Sequence, residues 1–356
     1  MSDNVIRVAV VDDSALMRQI LSTMLNEDPE ISVVGAARDP YSARELIKKT
    51  NPDVVTLDIE MPRMDGLTFL QKIMSLRPMP VVMISSLTQE GAAATIQALE
   101  LGAVDFVAKP GMGLEEGLRA KQREIVEKVK TASRIRVRQR GSGDSKAARP
   151  VLGHAGLRAT ESVVAIGAST GGVEAIKEVL SVMPADGPAI LISQHMPAKF
   201  TTSFARRLNE ASALTVSEAR SGQRALPGHA YLAPGDRHLQ LRRYGANFVC
   251  ELDDGPEVSG HKPSVDVLFR SVADQAAGNG VGVILTGMGR DGADGLLAMR
   301  RAGAVTIGQD ERSCVVYGMP RAAHEAGAVG RQLTLSKIPA AIVDSVGTTS
   351  VRAVRV

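Results

Sequence analysis

Short apolar runs alternate along the chain with stretches in which apolar positions recur every three or four residues. Val5–Val11 is such a run, and the ALMRQILSTML that follows has apolar residues at helical spacing. The plan repeats through ISVVGAA, DVVTLD, PVVMIS and AVDFV. Helices are expected through Ala43–Lys48, after Asp65, through Ala92–Leu101 and, last, as a basic helix. Five apolar strands alternating with amphipathic helices predict a doubly wound parallel sheet. The second half repeats it, with strand, turn and helix in ESVVAIGASTGGVEAIKEVL, PAILISQHMPAKFTTSFARRL and GVGVILTGMGRDGADGLLAMRRAG, and a further strand in AVTIGQD. The stretch from Thr215 to Glu251 breaks the rhythm. Its short alternating runs and the turn signals PGH and APGD predict a β-hairpin insertion.

Composition and charge place the domain boundaries. A chain of 356 residues has room for two cores, and 44% hydrophobic with 23% charged residues excludes a disordered or fibrous protein. With 3% aromatics and no Trp, the cores must be built from Ala, Val, Ile, Leu and Met, which suits α/β layering better than a β-sandwich. Residues 1–127 carry a net charge of −6, residues 128–149 of +7 and residues 150–356 of +2. The alkaline pI thus comes from KVKTASRIRVRQRGSGDSKAAR. A basic run can bind nucleic acid or anionic lipid, but Gly-Ser-Gly-Asp-Ser inside it and the lack of interleaved aromatics favour a solvated linker. The expected division is a first domain over 1–127, a linker over 128–158, a second domain over 159–347 and a tail over 348–356. No signal-peptide pattern and no apolar stretch of about 18 residues occurs, so a cytoplasmic protein without membrane insertion is expected. Cys250 and Cys314 match no zinc or CxxC spacing and read as packing residues.

In a doubly wound sheet, ligands sit outside the carboxyl ends of the strands. Asp12 and Asp13 follow the first strand of the first domain, Asp58 ends the third and Lys109 follows the fifth. Clustered carboxylates repel unless a cation joins them, and an all-oxygen shell suits Mg²⁺. An aspartate between that ion and a lysine can attack a phosphoryl group, because both cations neutralise its oxygens. Helix capping would explain Asp13 or Asp65 but not the four groups together.

VVDDS, LDIEMPRMDG, ISS and AKP, in this order, resemble the signature of bacterial response-regulator receiver domains over about residues 5–125. The resemblance implies a flavodoxin-like fold, Asp58 as phosphoacceptor, Mg²⁺ on Asp12, Asp13 and Asp58, and Lys109 against the phosphoryl group. It implies Ser85 as the switch hydroxyl, with Ser86 as competitor, and Phe106 as the switch aromatic.

In the second domain, Gly167-Ala168-Ser169-Thr170-Gly171 fits G-x-S-x-G at a strand-to-helix turn, which pushes the Ser169 hydroxyl outward. His195 follows the second strand and Asp291 the third, so hydroxyl, imidazole and carboxylate come from one rim of the sheet. Glycines 287, 289 and 292 leave backbone N–H groups unobstructed, as an oxyanion hole requires. The other histidines (154, 229, 238, 261 and 324) follow no such strand. Gly287–Gly292 is also G-x-G-x-x-G, with Asp310 at the distance of a ribose partner, so a dinucleotide site is a rival reading; Asp291 inside that loop opposes a pyrophosphate.

AIGASTGG, ISQHMP, APGD, KPSVDVLF and LTGMGRDGADG resemble the chemotaxis protein-glutamate methylesterases, which are also glutaminases, over about residues 160–345. That resemblance implies a Rossmann-like serine-hydrolase fold, Ser169 as nucleophile, His195 as base, Asp291 as orienting acid and the Met288 N–H at the oxyanion. It implies a phosphorylation-activated hydrolase of glutamate methyl esters on methyl-accepting chemotaxis receptors, with glutamine deamidation beside it. A chemotaxis histidine kinase would be the phosphodonor; no cofactor serves the esterase chemistry and no nucleic acid is a partner. The alternatives are a serine esterase for small esters, a dinucleotide-binding output domain and a non-enzymatic regulator binding DNA through the linker, for which no helix-turn-helix pattern exists.

Overall fold

The structure is a computed structural model, and it describes residues 5–62, 64–86, 88–109, 115–135, 137 and 162–352. The chain falls into two compact units, Met1–Ser145 and Lys146–Val356.

The first unit has strands β1 (Ile6–Val11), β2 (Ile31–Ala37), β3 (Val54–Asp58), β4 (Val81–Ser85) and β5 (Asp105–Ala108). Helices α1 (Ala15–Asn26), α2 (Pro40–Thr50), α3 (Gly66–Leu76) and α4 (Gln89–Glu100) connect them, and α5 (Glu115–Ser133) follows β5. The strands are parallel in the order β2-β1-β3-β4-β5, the flavodoxin-like arrangement read from the sequence. Buried Val8, Val10, Val54, Val82 and Ile84 of the strands meet Leu21 and Leu25 of α1 and Ile125 and Val129 of α5 on one face. Order reverses between β1 and β3, and the crevice at that switch point is where Asp12, Asp13 and Asp58 stand. Asp65 caps α3, its carboxylate accepting the Thr68 N–H at 2.7 Å.

The second unit has a seven-stranded parallel sheet in the order β14-β13-β12-β6-β7-β9-β8. These strands are β6 (Val163–Ala168), β7 (Ala189–Gln194), β8 (Thr215–Glu218), β9 (His229–Leu232), β12 (Gly280–Ile284), β13 (Val305–Gln309) and β14 (Arg331–Leu333). A separate antiparallel pair, β10 (His238–Tyr244) and β11 (Asn247–Asp253), packs its buried Leu239, Leu241 and Cys250 against Phe269 and Val272. The helices are α6 (Gly172–Leu180), α7 (Ala198–Ala211), α8 (Val265–Ala276), α9 (Ala293–Arg301), α10 (Met319–Glu325) and α11 (Ile338–Arg352).

Three expectations are revised. The hairpin insertion expected over Thr215–Glu251 is confined to β10 and β11, because β8 and β9 run parallel and extend the main sheet. The segment joining β8 to β9 is pinned by buried Tyr231, whose hydroxyl donates to the Arg224 carbonyl at 2.6 Å and accepts the Leu226 N–H at 3.1 Å. Lys128–Ser133, expected to open the linker, are the last turns of α5, with Val129 and Ala132 buried. Most of the linker lies outside the described residues. Residues 348–352, expected to begin a tail, continue α11. No helix among the described residues is long and apolar enough to cross a membrane.

Candidate active site

Ser169, His195 and Asp291 each follow a strand end in the centre of the large sheet. The β6–β7 register pairs Ala168 with Gln194, so Ser169 and His195 are the next residues on adjacent strands. The His195 N–H donates to the Ala168 carbonyl at 3.1 Å, continuing the ladder. On the other side the Ser169 N–H donates to the Thr286 carbonyl at 3.0 Å, beyond the end of β12. There Gly287 must lack a side chain, since a Cβ would stand 2.8 Å from the Ser169 Cβ. That close approach lays the loop of Met288, directly after Gly287, alongside the serine.

Asp291 is buried, and Nε2 of His195 lies 2.8 Å from its Oδ2. Oδ2 also accepts the Val265 N–H at 2.7 Å, while Oδ1 accepts the Ser264 hydroxyl at 2.8 Å and the Asp266 N–H at 3.2 Å. The carboxylate therefore sits at the N-terminus of α8, where backbone donors and the helix dipole favour negative charge. Burial alone would push the Asp291 carboxyl up, but the His195 ring, the Val265 N–H and the Ser264 hydroxyl together hold it below its ordinary value. An ionised carboxylate only accepts, so Nε2 of His195 carries the proton and Nδ1 holds the lone pair. Nδ1 is buried and, among the described residues, has no hydrogen-bond partner. Neither ring nitrogen of His195 is hydrogen-bonded to the Ser169 hydroxyl among the described residues.

Sequence reasoning missed four residues here. Gln194, 3% exposed, donates from Nε2 to the carbonyls of both Ser169 (2.9 Å) and His195 (3.2 Å). Ser264 and Val265 hold Asp291 from 26 or more residues upstream, a pairing no local pattern announces. His261, passed over because no strand precedes it, stacks on His195 with ring centroids 3.8 Å apart. The Ser264 cap was the one readable signal, a serine opening an amphipathic stretch in KPSVDVLF. The dinucleotide reading fails on the same geometry. Asp291 is committed to His195 and α8, and Oδ1 of Asp310 accepts the N–H and hydroxyl of Ser313 in its own turn.

In the first unit, Asp12 and Asp58 are buried and Asp13 is exposed, and their carboxylates come within 4.8 Å of one another. Lys109 Nζ is 2.7 Å from Asp58 Oδ2 and 3.4 Å from Asp12 Oδ2. Burial, aided by the charge of Asp12 and opposed by Lys109, pushes the Asp58 carboxyl up to about 6. Burial also raises the Asp12 carboxyl. Three carboxylates converge on one point with the single cation Lys109 beside two of them, and the donors are all oxygen, so the cluster fits a hard divalent cation. The two candidate switch hydroxyls point elsewhere. Ser85 accepts a 2.6 Å bond from the Thr95 hydroxyl in α4, and Ser86 donates to Glu60 at 2.7 Å. Phe106 is buried, with Lys128 Nζ 5.1 Å from its ring centroid and 2.6 Å from its carbonyl oxygen.

The family model described as CheB methylesterase matches residues 164–342, and that of the response regulator receiver domain matches residues 8–120. A protein-glutamate methylesterase/protein-glutamine glutaminase of Yersinia pestis bv. Antiqua (strain Antiqua) is 57% identical over 333 residues, 94% of this chain and 95% of the relative. One from Methylobacillus flagellatus is 53% identical over 358 residues, 99% of each. The crystal structure of the Thermotoga maritima CheB methylesterase catalytic domain aligns with a TM-score of 0.51 at 36% identity, over 51% of this chain and 97% of that one.

Proposed function

The chain belongs to the receiver-linked CheB methylesterase family, the protein-glutamate methylesterases/protein-glutamine glutaminases, and on that footing we propose that Ser169, His195 and Asp291 are its catalytic triad. It is a carboxylic ester hydrolase that removes methyl groups from glutamate γ-esters of chemoreceptors and deamidates glutamines, under control of a phosphorylatable receiver.

The observation that carries the assignment is the 2.8 Å pair of His195 Nε2 with a carboxylate gripped by Ser264 and Val265. That pair sets Nδ1 as the basic nitrogen. Nδ1 takes the proton as the Ser169 Oγ attacks the γ-carbonyl carbon, and Asp291 stabilises the imidazolium. The carbonyl oxygen becomes an oxyanion bonded to the Met288 N–H. Nδ1 returns the proton to the leaving oxygen or nitrogen, expelling methanol or ammonia and leaving a γ-glutamyl ester on Ser169. Water, deprotonated at Nδ1, hydrolyses that ester and releases a glutamate carboxylate. Ester and amide pass through similar tetrahedral oxyanions, so one site serves both.

In the receiver, Asp58 is the phosphoacceptor for a chemotaxis histidine kinase, and Asp12, Asp13 and Asp58 would hold Mg²⁺. When bound, that ion neutralises charge on the phosphoryl oxygens. Lys109, paired with Asp58 in the free state, contacts the phosphoryl group and contributes a second cation there. Ser85 is the switch hydroxyl and must leave Thr95 to reach a phosphoryl group; Phe106 repacks behind it. The unphosphorylated receiver inhibits the hydrolase and phosphorylation relieves it. The test is methanol release from methylated receptor membranes. Wild type releases methanol, and Ser169→Ala does not; equal release by both would overturn the serine mechanism.

A further inference from the structure

We infer that His261 is a positioning residue whose imidazole walls in the His195 ring and fixes its orientation. This rests on the reading of His195 as the base of Ser169. The terminal torsion of a histidine is broad and roughly two-fold, so the choice between presenting Nδ1 or Nε2 must be imposed by neighbours. Asp291 fixes one edge of the His195 ring through Nε2. His261 covers a face of it, with centroids 3.8 Å apart and planes 19° from parallel. A ring bonded along one edge and covered on a face can turn only by breaking both contacts.

The segment that carries His261 is braced for this. Val258 and His261 exchange backbone hydrogen bonds at 3.1 and 3.0 Å around Ser259 (φ 56°) and Gly260 (φ 75°), the left-handed pair of a two-residue turn. Three residues later Ser264 and Val265 grip Asp291. Buried His238 staples the two ends of this segment. Its Nδ1 accepts the Ser264 N–H at 3.1 Å, which leaves the proton on Nε2 to donate to the Pro256 carbonyl at 2.9 Å. One short strap thus seats both the imidazole and the carboxylate, and His261 is its contact with the imidazole.

The experiment compares wild type, Ser169→Ala, His261→Ala and His261→Phe in the full chain. It measures methanol release from methylated receptor membranes, the rate of Ser169 labelling by a fluorophosphonate, and the melting temperature. His261→Ala lowers kcat and the labelling rate by about 10- to 100-fold with KM unchanged, as expected of misoriented reacting groups. His261→Phe, which keeps a planar ring, recovers most of the loss in both. Ser169→Ala releases no methanol and takes no label. If Ser169→Ala is as active as wild type, the serine reading falls and this inference with it. If Ser169→Ala is silent while His261→Ala matches wild type, or His261→Phe is as slow as His261→Ala at an unchanged melting temperature, the inference alone is overturned. Labelling is read on the folded fraction, so a loss of folded protein does not imitate the effect.

Discussion

The side-chain oxygen of Gln194 occupies space that exists because residue 172 is glycine: a Cβ at Gly172 would stand 2.1 Å from Gln194 Oε1. From that seat the Gln194 Nε2 reaches the main-chain carbonyls of Ser169 and His195, the residues read as nucleophile and base. Gln194 is a bracket across two strand ends, and Gly172, opening α6, is what lets it lie flat.

Gln194→Leu removes both donors; the Ser169 carbonyl keeps the Gly172 N–H at 2.8 Å, while the His195 carbonyl loses its side-chain donor, at about 1–3 kcal/mol for a buried group left unpaired. The expected result is a melting temperature several degrees lower and a kcat lower by about tenfold or more. Gly172→Ala displaces the same amide and is expected to reproduce the kcat loss. Thermal denaturation and methanol release measure the two effects. Unchanged kcat in both variants would separate the bracket from catalysis.

Asp291→Asn keeps the shape of the side chain but offers an amide where His195 needs an acceptor. The imidazole then loses the tautomer with its lone pair on Nδ1, and kcat is expected to fall by about 10³- to 10⁴-fold. Ser264→Ala removes one of the four donors to Asp291 and the cap of α8 together. It is expected to cost about 1 kcal/mol of stability, with a far smaller loss of kcat than Asp291→Asn. Steady-state kinetics on receptor membranes, with a denaturant melt for each variant, checks the ordering.

Much of this is legible in the sequence. The receiver acids were readable because each stands where a run of Val, Ile and Leu stops, and a parallel sheet gathers such ends on one rim. Ser169, His195 and Asp291 were readable for the same reason. The supports were not. Ser264 is readable as the cap of α8 but not as a partner of Asp291, and His261 lies in a strap between the hairpin and α8 with no apolar run to mark the register; the targets of both are remote in sequence. The β8 and β9 strands were misread as hairpin because four-residue strands separated by turn residues look alike whether they pair antiparallel or parallel. What distinguishes the cases is that β9 pairs parallel with both β7 and β8.

Chelation of divalent ions is expected to separate the two units functionally. EDTA is expected to abolish the rise in methanol release caused by a small-molecule phosphodonor while leaving the basal rate unchanged, since no metal enters the esterase chemistry proposed here. Asp58→Asn is expected to behave like the chelated wild type. A basal rate that falls with EDTA would contradict the metal-free hydrolase.

Both thiols are pushed up to about 12, Cys250 by burial alone and Cys314 mainly by burial with acidic neighbours adding to it. A raised value means less thiolate at a given pH, and the thiolate is the reactive form. Titration with a disulfide reagent at pH 8 is therefore expected to find no rapidly reacting thiol in the native protein and two after denaturation. A fast native thiol would contradict the environment assigned to that cysteine.

The most direct test of the triad is labelling by a fluorophosphonate followed by peptide mapping, in wild type and in His195→Gln. The account predicts a single adduct on Ser169 in wild type, and a labelling rate lower by about 10²-fold or more in His195→Gln, because the serine then lacks its base. An adduct on another residue, or equal labelling of Ser169 in both proteins, would contradict it.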